Sequence, residues 1–96
     1  MTELAPGPVT LRLRLYVAGS APNALLAIAN AKAICDAHFA EAHELEIIDV
    51  LEETARALED RIVVTPTLMK LSPLPIRRLI GNLSDTRQVV LTLGAK

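Results

Sequence analysis

Between Val9 and Val17 apolar and polar residues alternate without interruption, with Val9, Leu11, Leu13, Leu15 and Val17 on one side and Thr10, Arg12, Arg14 and Tyr16 on the other. Successive side chains of an extended chain point to opposite faces, so this stretch reads as a half-exposed strand. The next six residues, Ala18-Gly19-Ser20-Ala21-Pro22-Asn23, are rich in turn formers. Either Asn23 caps the following helix, or the helix starts at Ser20 with Pro22 inside its first turn. That helix runs to about Ala40, and Ala24, Ile28, Ala31, Cys35 and Phe39 form a stripe that can pack on a sheet. Glu44 to Leu51 is a second strand, weighted by Leu45, Ile47, Ile48 and Val50 and interrupted by Asp49. Strand, long helix and strand make a βαβ unit, which places the strands parallel with a right-handed crossover.

The chain of 96 residues suits one compact domain, expected over residues 9–96 after a flexible lead-in at 1–8 that contains Pro6, Gly7 and Pro8. Aromatic residues are only 2% of the chain, so Leu, Ile, Val and Ala must build the core, and there is no platform for stacking bases. A net charge of -1 gives no general attraction to phosphate backbones or anionic membranes, and no apolar run reaches the length of a membrane span. Neither nucleic acid nor a membrane is an expected partner. A single cysteine forms no internal disulfide, and with no apolar signal segment at the N-terminus the expected location is cytoplasmic.

The small net charge hides an uneven distribution. Eight acids stand between Glu41 and Asp60 against the single base Arg56, whereas from Lys70 onward Lys70, Arg77, Arg78, Arg87 and Lys96 face only Asp85. This is either a solvated polar surface or an oriented docking surface. The second half also resists assignment. Glu52 to Asp60 has helix-forming composition, Ile62 to Leu68 is rich in β-branched residues, Ser72 to Pro75 is a proline-rich connector and Ile76 to Ile80 is too short for periodicity to decide. Ser84 or Asp85 could cap a last helix, yet Val89-Val90-Leu91-Thr92-Leu93 has strand character.

Six segments in order, Leu15-Tyr16-Val17-Ala18-Gly19, Pro22-Asn23, Ile48-Asp49-Val50-Leu51, Thr65-Pro66-Thr67-Leu68, Arg77-Arg78-Leu79-Ile80-Gly81 and Leu83-Ser84, resemble the KaiB family of the cyanobacterial circadian oscillator. The resemblance spans nearly the whole chain. It implies an α/β fold with a thioredoxin-related βαβ first half and a metamorphic second half. One family order is the KaiB-type βαββααβ of self-associated dimers or tetramers; the other is the thioredoxin-like βαβαββα that docks on the KaiC ATPase and there captures KaiA or competes with a histidine kinase. Two such packings coexist only if they differ by a few kcal/mol. The strand character of Val89 to Leu93 favours the self-associated, homo-oligomeric order at rest.

The resemblance further implies partner-binding roles for Arg61, Lys70, Arg77 and Arg78, whose positive charges suit carboxylates on a KaiC-type ATPase. It assigns the balance between folds to Thr65, Pro66, Thr92 and Gly94. Thr65-Pro66 matches a proline that thioredoxin-like domains hold in the cis form, an ordinary trans proline being the alternative. Thr92 and Gly94 stand where the family has glycine and aspartate. Glu46 replaces a lysine that contributes to KaiA binding, which makes KaiA a doubtful partner, and the acidic tail of clock KaiB proteins is missing after Lys96. The departures suggest a divergent homologue, acting in a circadian or stress-linked timing system.

Catalysis is not expected. The Ala18 to Asn23 loop, where thioredoxins hold a reactive thiolate at a helix N-terminus, contains no cysteine. Cys35 lies on the apolar stripe of the helix and reads as an inert buried thiol; a thiol-dependent oxidoreductase using it is the competing enzyme reading, and a histidine-kinase adaptor is a third. Asp49, at a strand end, suits a structural polar network. His38 and His43 lack further ligands at metal spacing, so no cofactor or metal is expected.

Overall fold

The computed structural model describes residues 10–40 and 42–94. The lead-in at 1–8, Val9, Glu41 and the last two residues, including Lys96, lie outside the described residues. The chain order is β1 (Leu11–Val17), α1 (Pro22–His38), β2 (His43–Asp49), α2 (Thr54–Glu59), β3 (Thr67–Ser72), β4 (Arg77–Ile80) and α3 (Thr86–Leu93). One sheet has the order β2-β1-β3-β4, with β2 parallel to β1 and both β3 and β4 antiparallel to their neighbours.

The alternation in β1 acts as the sequence requires. Leu11, Leu13, Leu15 and Val17 face a core shared with Ala24, Ala27, Ala31, Ile34 and Cys35 of α1, Leu68 of β3 and Val89 and Leu93 of α3. Ile28 and Phe39 pack against the same core, so the whole stripe foreseen on α1 faces the sheet. On the opposite face Tyr16 joins Ile48 and Ala57 in a smaller cluster beneath α2, flanked by Val50 and Ile62. The helix α1 starts at Pro22, whose missing N–H costs nothing in a first turn, and Ala21 occupies the N-cap position. Neither Ser20 nor Asn23 caps it.

The second half adopts the thioredoxin-like order, and the segment Val89 to Leu93 is helical where its β-branched composition favoured a strand. Three local contacts account for the difference. The Asp85 carboxylate accepts the Gln88 N–H at 3.1 Å as an N-cap. Val89 and Leu93, one turn apart, are both buried in the main core, where α3 packs on α1 and β4. Gly94 then takes a left-handed conformation (φ 101°) and closes the helix with its N–H on the carbonyls of Val90 and Leu91. Capping and burial outweigh a β propensity that spans only about 1 kcal/mol. The β-branched run Ile62 to Leu68 departs in the other direction: only Thr67 and Leu68 join β3, and Val63 stands in the preceding loop, 90% exposed.

These contacts set two expectations for urea unfolding followed by circular dichroism. Leu15→Ala, at a fully buried position, costs about 2–5 kcal/mol. Asp85→Ala costs about 1 kcal/mol through the lost cap, with a loss of helical signal confined to α3.

Candidate docking surface

The thioredoxin-like order brings the loop after β1, the loop after β2, the approach to β3 and the loop after β4 to one end of the sheet. At this end a redox enzyme of the fold would hold its cysteines. Here the turn before α1 is closed by a carboxylate instead: Asp49 accepts the N–H of Gly19 at 3.0 Å and that of Leu51 at 2.9 Å. Asp49 therefore ties two loops together, the structural role its position suggested. Cys35 is 1% exposed, and burial, helped by the charge of Asp36, pushes its thiol up to about 11. At neutral pH it is a protonated core side chain rather than a nucleophile. The Thr65-Pro66 bond is cis, as are Ser72-Pro73 and Leu74-Pro75. The Pro66 carbonyl accepts the Gly81 N–H at 2.9 Å, which joins the start of β3 to the end of β4.

The polar face of β1 carries a network that crosses the whole domain. Arg14 Nη1 donates to Asp60 Oδ2 at 2.9 Å, the Tyr16 hydroxyl donates to the same oxygen, and that hydroxyl lies 3.3 Å from the Arg56 carbonyl oxygen. Arg56 in turn clamps Glu46 of β2 with both terminal nitrogens, at 2.6 and 2.7 Å, and Arg14 Nε lies 3.7 Å from the same carboxylate. Glu46 is thus held by an arginine of its own chain, and this hydrogen bond is the first reason its carboxyl titrates below the usual range. From the other side Arg78 of β4 donates to the carbonyls of Asp60 and, at 3.3 Å, Arg61. A guanidinium at these carbonyls neutralises the negative end of α2.

The basic residues expected to meet a partner separate into different settings. Arg61 is exposed and has a left-handed backbone (φ 55°), which a residue with a Cβ adopts at a cost of order 1 kcal/mol. Arg77 and Arg78 are both exposed, but strand alternation sends them to opposite faces of β4, with Arg78 on the face of α2. Lys70 corrects the expectation for this arrangement, being only 5% exposed. It lies in β3 between β1 and β4, opposite Leu13 and Arg77, and so sits on the core-facing side of the sheet rather than on the accessible surface. Thr92 is half-buried on α3, and Gly94 provides the helix stop described above. Leu58, Val63, Val64, Ile76 and Ile80, from the same stretch of chain as these cations, are exposed apolar side chains.

Asp60 and Tyr16 make the network testable by pH. Burial opposes the charged form of Asp60, but the Tyr16 hydroxyl and the Arg14 guanidinium outweigh it, and the carboxyl titrates below its ordinary value. Its contribution to stability is therefore complete above the unfolded value of about 3.9 and is lost as pH falls through the lower native value. Burial first, then the bond to Asp60, pushes Tyr16 up to about 12 from 10.0, so its contribution is complete below pH 10 and fades between 10 and 12. In urea titrations across pH, Asp60→Asn is expected to flatten the acid limb. Tyr16→Phe is expected to remove the alkaline loss and to cost about 1–3 kcal/mol near neutrality.

Comparison with known proteins agrees with this architecture. Residues 14–95 match the KaiB domain family. The chain is 46% identical over 84 residues to the circadian clock oscillator protein KaiB of Synechococcus elongatus, covering 88% of this chain and 82% of that one. It is 47% identical over 81 residues to the circadian clock protein KaiB3 of a Synechocystis species, covering 84% and 79% respectively. In structure it resembles the N-terminal domain of SasA from Synechococcus elongatus, with a TM-score of 0.73 and 28% identity over 97% of this chain and 93% of that domain. A chloroplastic thioredoxin z shares the fold, at a TM-score of 0.75 and 20% identity over 91% of this chain and 78% of that one. With a family match over most of its length and close to half of the aligned residues identical in clock proteins, the chain belongs to the KaiB family.

Proposed function

We propose that this protein is a non-enzymatic regulator that binds a KaiC-type ATPase through the sheet edge at β4, flanked by Arg61 and Arg78 on the α2 side and Arg77 on the other, and thereby modulates a timing system. The observation that carries the proposal is the position of these three arginines, all exposed, around the end of α2 and the outermost strand β4. Guanidinium groups in that setting suit carboxylates on a protein partner, while the chain as a whole, with its net charge of -1, has no general affinity for polyanions. The buried, protonated state of Cys35 supports a reading without thiol catalysis. Lys70 contributes to docking only in an arrangement that exposes it. Balance between the two family folds is proposed to involve Thr65-Pro66, Thr92 and Gly94, with self-association accompanying the other order.

Glu46 supports a narrower partner range. Its carboxylate is occupied by Arg56, and it presents negative charge where the family's clock members present a lysine, so capture of KaiA is not part of the proposal.

The test is size-exclusion chromatography or pull-down with the KaiC homologue of the same organism, with ATP or ADP and incubation for hours. Arg61→Glu with Arg77→Glu is expected to weaken the complex at least tenfold with little change in the urea midpoint, since neither side chain is tied into the fold by a hydrogen bond among the described residues. Failure to form a complex in either nucleotide state overturns the proposal. Binding to a histidine-kinase sensor domain with none to the ATPase replaces it by the adaptor reading.

A further inference from the structure

The outermost strand β4 pairs with β3 along one edge, and no strand covers its other edge among the described residues. The Gly81 N–H points inward to the Pro66 carbonyl. Backbone directions in an antiparallel ladder alternate with a period of two, so Leu79 and Arg77 also face β3, while the N–H and C=O groups of Arg78 and Ile80 face outward. This open stretch is short. Upstream, Pro73 and Pro75 have no N–H to offer, and downstream Gly81 turns the chain at φ 116°.

Folded proteins blunt such edges with charged side chains, prolines and short strands. Two features of β4 run against simple protection. Ile80, 72% exposed, shares the face of Arg78, and Ile76, 51% exposed, immediately precedes the strand, which gives an apolar, basic, apolar sequence beside open backbone groups. Around it the charge is of one sign: Arg61 lies next to the carbonyls that Arg78 holds, and Arg77 occupies the opposite face. The hydrogen bonds of the Asp60 carboxylate go to Arg14 and Tyr16, so it offsets the charge of Arg78 without pairing with it directly.

We infer that the outer edge of β4 receives an extended acidic segment of a partner protein as a fifth strand, with a carboxylate opposite Arg78 and apolar side chains opposite Ile76 and Ile80. Main-chain bonds to Arg78 and Ile80 supply affinity, and alternation of the side chains supplies register. The inference rests on the ATPase-docking proposal for the identity of the partner and adds the mode by which the basic surface is used.

The experiment follows amide hydrogen exchange of the full chain by NMR, alone, with the KaiC-type ATPase, and with a synthetic capped peptide of alternating valine and glutamate. A peptide with lysine in place of glutamate is the control. Slowing of the Arg78 and Ile80 amides by tenfold or more in the ATPase complex, and with the acidic but not the basic peptide, supports the inference. Ile80→Pro removes one outward donor and is expected to weaken the ATPase complex at least tenfold; exchange in the unmodified chain decides the matter if this variant does not fold. A complex that forms while these amides exchange as in the free protein overturns the fifth strand and leaves the docking proposal standing. With no complex, the docking proposal fails, and the peptides alone decide: slowing by the acidic peptide only supports the edge, and equal or no response to both overturns it.

Discussion

The short stretch at residues 60–62 ties α2 to both β1 and β4. Asp60 bonds Arg14 and Tyr16 of β1 through its side chain and Arg78 of β4 through its carbonyl, while Ile62 packs against the cluster of Tyr16 and Ile48. A six-residue helix such as α2 has little stability of its own. Its place over the sheet depends on these ties, on the clamp of Arg56 on Glu46 and on the single buried residue Ala57. Removal of one partner leaves a largely buried carboxylate short of donors, which is why so small a helix can be positioned firmly.

The same ties connect the parts of the molecule that a partner would meet. Arg78 draws the end of α2 toward β4, and this brings the exposed Arg61 beside the sheet edge. The loop end of the sheet is built by other carboxylate and carbonyl contacts, from Asp49 to Gly19 and Leu51 and from Pro66 to Gly81. Where a thioredoxin of this fold would use that end for electron transfer, this chain fills it with backbone closure. Its polar chemistry lies instead on the α2 side of the sheet.

What the sequence reveals follows the range of the interactions involved. The β1 alternation and the α1 stripe are legible because each reports a face that one dominant core buries. The segment Val89 to Leu93 misleads because its fate is decided by Asp85, Gly94 and packing on α1, against a weak local preference. The basic positions 61, 70, 77 and 78 stand out by resemblance and charge, yet only the sheet register shows Lys70 turned inward and Arg77 and Arg78 sent to opposite faces. The network of Arg14, Tyr16 and Asp60 is invisible in one dimension, since Tyr16 and Asp60 are separated by 44 positions. Its one early trace is that Arg14 and Tyr16 fall on the side of β1 away from the main core.

Arg78 carries a further consequence for how this surface can change over time. Its guanidinium anchors α2 while its backbone stands on the open edge of β4, so in the proposed docking a single residue would serve both internal architecture and external recognition. Substitutions there cannot adjust partner affinity without also loosening the helix beside it. If the proposed docking holds, Arg77 and Arg61, whose side chains carry no comparable internal duty among the described residues, are the positions at which a lineage can retune binding strength while the scaffold stays intact.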